Sequence, residues 1–109
     1  MKVKTIDIIA LEWFDKANGN SYFAGNVTVN YGMKTEKTYP IPFQYGYGDQ
    51  YQYAGMYILD DNKIINIPDR QRFAVWTYCK DNNILLRAVK QENCRKRELT
   101  DLTQCRKYN

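Results

Sequence analysis

"VKTIDIIALEWFDKANGNSYFAGNVTVNYG", residues 3–32, decides how this chain folds. Over residues 3–13, Val3, Thr5, Asp7, Ile9 and Leu11 share one parity, and Lys4, Ile6, Ile8, Ala10 and Glu12 the other. Both sets are mainly apolar at their centre, which suits a strand in the middle of a sheet. Over residues 22–32, Phe23, Gly25, Val27, Val29 and Tyr31 alternate with Tyr22, Ala24, Asn26, Thr28 and Asn30. That pattern gives a strand with one apolar and one polar face. Between them, residues 15–21 carry Asn18-Gly19, a pair that tolerates the left-handed backbone a tight turn needs. The stretch predicts an N-terminal β-hairpin.

The rest of the chain is read outward from that hairpin. Residues 33–38 form a polar connector. "YPIPFQY" (39–45) can extend, but Pro40 and Pro42 lack amide donors, so it is at best an edge strand. In "GYGDQYQYAGMYILDD" (46–61), Gly46 and Gly48 break the strand and Asp49 is placed to cap a helix. Tyr51, Ala54, Tyr57 and Ile58 then make an apolar face, widened by Tyr53, Met56 and Leu59. Residues 60–62 end the helix, and "KIINI" (63–67) is a short extended piece closed by Pro68. Asp69 opens a helix over 70–83, with Phe73, Trp76 and Cys79 or Lys80 on one stripe. A rival reading takes "RFAVWTYC" and "ILLRAVKQ" as two strands joined across residues 80–83. Residues 84–91 are a strand in both readings. Residues 93–107 form a terminal helix with Leu99 and Leu102 as its apolar contacts. The expected class is α+β in one compact domain spanning 1–109. Its antiparallel sheet has three to five strands, beginning with the hairpin, and two or three short helices pack on one face.

Composition narrows function. The 109 residues are 44% apolar and 26% charged, a globular balance. No run of apolar residues is long enough for a membrane helix. The lysine-led apolar start is interrupted by Asp7 and Glu12 and has no small-residue cleavage site, so it is read as a strand and not a signal peptide. Cys79, Cys94 and Cys105 have neither disulfide-framework nor zinc spacing, which implies reduced thiols in a cytoplasmic setting. Histidine is absent, and with it every Ser–His or Cys–His mechanism. Glu12 with Asp15, and Asp60 with Asp61, are too few for the converging acids of a two-metal nuclease. "GYG" (46–48) lacks the glycine spacing of a phosphate loop. Cys94 lies beside Arg95, Lys96 and Arg97, which would lower its pKa, but no histidine or second thiol accompanies it. The expectation is a non-enzyme with no cofactor, no metal and no catalytic residue.

Two kinds of binding remain. The net charge of +4 is concentrated in residues 87–109, where Arg87, Lys90, Arg95, Lys96, Arg97, Arg106 and Lys107 outnumber three acids. Read functionally, they are a phosphate-facing patch, with Trp76 and Tyr78 able to stack on unpaired bases. Read structurally, they are the solvated face of a terminal helix. The second kind is protein binding through Tyr45, Tyr47, Tyr53, Arg95 and Arg97, because tyrosine and arginine dominate interface hot spots.

Residues 10–24 ("ALEWFDKANGNSYFA"), 41–55 ("IPFQYGYGDQYQYAG") and 91–99 ("QENCRKREL") resemble segments of small accessory proteins of bacteriophages and related mobile elements. The resemblance covers about half of the chain and carries no catalytic motif. It implies an intracellular phage product that binds a host protein or nucleoprotein, such as an inhibitor of a CRISPR effector or other defence nuclease. A nucleic-acid-binding helper is the alternative.

Overall fold

The computed structural model describes residues 1–104, with side chains described for residues 1–101. Four strands and three helices follow in the order β1 (Thr5–Asp15), β2 (Asn20–Val29), β3 (Lys37–Tyr45), α1 (Gln50–Asp61), α2 (Val75–Asp81), β4 (Leu85–Gln91) and α3 (Lys96–Gln104). The class is α+β, as expected. The sheet order is β3-β2-β1-β4. The predicted hairpin is present, with Ile6 opposite Val29 and Asp15 opposite Asn20. β1 is central, as its two apolar faces require, and the proline-bearing β3 is an edge.

The sheet is mixed, where a purely antiparallel one was expected. β4 runs parallel to β1, with Thr5 opposite Leu85 and Leu11 opposite Gln91. Residues 46–84 explain it. They carry the chain from the β3 edge across one face through α1 and α2, so β4 enters at the far edge in the direction of β1. The helices are also divided between the faces. Ile6, Ile8, Phe23, Val27, Val29 and Ile41 pack against Met56, Leu59, Val75 and Cys79 of α1 and α2. Leu99 of α3 instead packs with Ala24 and Cys94, and with Leu11, Trp13, Tyr22 and Phe43, on the opposite face.

Local details depart from the pattern. In α1 the buried residues are Tyr51, Gly55, Met56 and Leu59, so the stripe is rotated from the expected Tyr51, Ala54, Tyr57 and Ile58. Gly55 faces the central strand at close range: a Cβ there would sit 3.2 Å from the Ile8 side chain, tighter than ordinary contact. Asp49 holds the cap position without a side-chain bond; the Gln50 carboxamide accepts from the Tyr47 N–H at 2.8 Å instead. Residues 63–67 form no strand, although Ile65 and Ile67 are buried and the Ile67 N–H donates to Asp60 at 2.9 Å. α2 is helical, which excludes the two-strand rival, but it spans seven residues and buries Val75 and Cys79 while Trp76 faces out. Asp69 closes a turn onto the Gln71 N–H before it, so the predicted cap does not start a helix.

Asn30, expected on the polar face of β2, is fully buried with φ +52° and ends the strand. Its side chain accepts from the Lys4 N–H at 2.7 Å and donates to the Lys2 carbonyl and Thr35 hydroxyl, both at 2.9 Å. It fastens the chain start to the loop after β2. Among the described residues, no helix is long and apolar enough to cross a membrane.

Candidate interaction surface

One end of the sheet gathers the chemistry. β1 and β4 finish there, β2 begins there and β3 finishes there, because Tyr22 pairs with Tyr45 and Leu11 with Gln91. On the α3 face of that end, Tyr22 stacks on Trp13 at 5.5 Å and on Phe43 at 5.2 Å, and Tyr45 meets Tyr22 edge-on at 5.8 Å. Offset and edge-on geometries of this kind are the favoured ones for aromatic pairs, worth about 0.5–1.5 kcal/mol each. The ladder runs from half-buried Trp13 to Tyr45, which is 59% exposed. Tyr47, 61% exposed, follows in the turn to α1.

The basic groups enter from the hairpin and from α3. The α3 start is fixed by the Arg95 N–H donating to Glu98 at 2.7 Å, the glutamate half of a capping box. Lys96 then lies over the Trp13 ring at 5.4 Å. Trp13, Phe14, Lys16, Arg95 and Lys96 border a cavity of about 460 Å³. Lys16 and Phe14 belong to this set, although no motif in the sequence singles them out. Only the sheet register, which brings the end of β1 beside the start of α3, reveals them.

The sequence-derived candidates divide accordingly. Tyr45, Tyr47, Arg95 and Lys96 come to this end, and Arg97 is exposed on α3. Tyr53 does not join them. It is half-buried on α1, edge-on to Tyr57 and Phe73. Arg87 forms a two-point ion pair with Asp7, at 2.6 and 2.9 Å. Lys90 points to the α1 face and is only 11% exposed. Its Nζ contacts Glu12 at 3.1 Å and the Gly48 carbonyl at 3.0 Å, with the Tyr51 ring at 5.7 Å. These two cations are neutralised within the chain and add little to a phosphate-facing patch. Trp76 and Tyr78 lie on α2, across the sheet from α3. Arg106, Lys107 and Cys105 lie outside the described residues, as does the side chain of Leu102.

Glu12 and Asp15 also separate. Glu12 turns to Lys90, while Asp15 accepts from the backbone and side chain of Asn18 in the hairpin turn, and its pKa is lowered chiefly by that side-chain bond. Among the described residues, no three potential ligands gather about a metal position. Burial pushes the Cys79 thiol up to about 11 and raises Cys94 as well, so the neighbouring cations do not activate Cys94. A thiol deprotonating near 11 is about one part in a thousand thiolate at pH 8. Brief iodoacetamide labelling of the native protein at pH 8 should leave the Cys79 and Cys94 peptides largely unmodified, and denaturation should expose both. Labelling of Cys79 at the rate of a free thiol would contradict its burial.

Comparisons against protein-family models, curated proteins and solved structures return no match.

Proposed function

We propose that this chain is a non-catalytic interaction protein that docks on another macromolecule through the aromatic–basic end of its sheet. The observation that carries the reading is the continuous ladder Trp13–Tyr22–Tyr45, which leads from half-buried Trp13, with Lys16, Arg95 and Lys96 beside it, to the exposed Tyr45 ring. Rigid aromatic rings bury a large area at small entropic cost, and adjacent cations select an acidic partner. With the resemblance to phage accessory proteins, the reading becomes a phage product that inhibits a host defence nuclease, for example a CRISPR effector.

The test is capture and inhibition with matched variants. The wild type should retain a host nuclease and slow its cleavage. Tyr45→Ala with Tyr47→Ala should weaken retention by roughly 30-fold or more, the scale of losing a hot-spot residue. Unchanged capture and inhibition by that variant would remove this surface from the mechanism. Cleavage of labelled nucleic acid by the purified protein with Mg²⁺ or Mn²⁺ would replace the reading with an enzymatic one.

A second reading, nucleic-acid binding, draws on the cavity bordered by aromatics and cations. Three phosphate contacts from Lys16, Arg95 and Lys96 to a single strand give a log–log salt slope of about −2. Fluorescence anisotropy of a labelled oligonucleotide measures it. No binding at low salt, or binding unaffected by replacing the three with alanine, ends this reading.

A further inference from the structure

The two edges of the sheet are treated differently. β3 carries Pro40 and Pro42, which supply no amide donor, and has an irregular register between Phe23 and Gly25 of its neighbour. These devices close an edge to further strands. β4 has none of them: seven residues, no proline, and a regular ladder to β1. The Leu85 N–H donates to the Lys4 carbonyl at 3.0 Å. Strand alternation then turns the N–H and C=O of residues 85, 87, 89 and 91 toward β1, and those of Leu86, Ala88 and Lys90 off the sheet.

Apolar surface flanks this row. Leu85, Val89 and the neighbouring Ile9 are each more than half exposed on the α3 face, beyond the reach of α3. On the other face Trp76, 71% exposed, stands with Leu85, Leu86 and Lys80 around a cavity of about 230 Å³ beside the edge. The strand is also electrically closed, because Arg87 is held by Asp7 and Lys90 by Glu12. Nothing on it selects an acidic foreign segment, and two copies can approach without uncompensated like charges.

We propose that β4 is the seam of a homodimer, in which two copies pair antiparallel about a two-fold axis through Ala88. The outward groups are symmetric about that residue. Leu86 falls opposite Lys90 of the second copy, and Ala88 opposite its own counterpart, so every outward N–H and C=O of the three residues is matched. Ala88 is the smallest side chain in the strand, which suits the axis. Arg87 falls opposite Val89 of the second copy, and the two exposed apolar strips merge across the seam. The closed β3 edge stops the sheet at eight strands, so association ends at a dimer instead of growing as a fibre.

Sedimentation velocity over a concentration series tests this on the intact chain. The wild type should shift from monomer to dimer as concentration rises. Val89→Lys, which puts a hydrated charge in the apolar strip that the seam would bury, should raise the dissociation constant at least tenfold. Ala88→Pro removes an outward N–H while sparing the β1 ladder, and should leave a monomer with wild-type circular dichroism. Hydrogen exchange on the wild type is a second readout: the Leu86, Ala88 and Lys90 amides should slow with rising concentration. A wild type that stays monomeric up to its solubility limit overturns the proposal. So does a dimer that Val89→Lys leaves unchanged, or one in which those three amides gain no protection. Tyr45→Ala with Tyr47→Ala should leave the dimer intact, which separates this seam from the docking surface.

Discussion

Gly25→Ala is expected to destabilise the chain by about 4 kcal/mol or more, a severe loss for a domain of ordinary stability. Gly25 lies in β2 opposite Ala10 of the central strand. A Cβ at this position would stand 1.9 Å from the Ile9 carbonyl oxygen and 2.8 Å from the Ala10 Cα. Both obstacles are backbone. Relief requires β1 and β2 to part, and β1 also holds β4 while β2 holds β3. The irregular β2–β3 register between Phe23 and Gly25 adjoins the same point, so little slack exists on either side. Urea unfolding followed by circular dichroism measures the loss. A Gly25→Ala midpoint close to wild type would show that the strands separate easily there.

Lys90→Met is the second large effect, expected at about 3–5 kcal/mol. Glu12 and Lys90 are each only 11% exposed, and the ammonium also bridges to the Gly48 carbonyl. Removing the lysine leaves the Glu12 carboxylate buried without its partner, and that stranded charge supplies most of the cost. Glu12→Gln in the same chain should therefore restore most of the stability, since the double variant buries no charge. A cycle of both single variants and the double one, by chemical denaturation, reads the coupling. Losses below about 1 kcal/mol for each single variant would place the pair in effective contact with water.

These positions also mark what the sequence reveals. The hairpin, the central place of β1 and the edge place of β3 follow from alternation, Asn18-Gly19 and the two prolines, all local signals. The direction of β4 does not, because "ILLRAVKQ" reads the same whether its partner runs parallel or antiparallel. The sequence pattern over 70–83 is longer than α2 because Asp69 resembles a cap, whereas its carboxylate serves a turn onto Gln71. The candidate site was partly legible. Exposed Tyr45 and Tyr47 follow from the glycine breaks that keep them out of the helix. The fate of the cations was hidden, since Arg87–Asp7 and Lys90–Glu12 join residues 80 and 78 positions apart. A charge count along the chain treats those arginines and lysines as free, and only the parallel register shows them paired.

The parallel strand has a last consequence, for synthesis. Leu85 leaves the ribosome 80 residues after its partner Thr5. At about 5–20 residues per second the nascent β1–β2–β3 meander, complete once Tyr45 has emerged, waits roughly two to eight seconds with the outer backbone edge of β1 unpaired. Chaperone engagement should be concentrated in that interval and should end when Leu85–Gln91 emerges and seals the central strand.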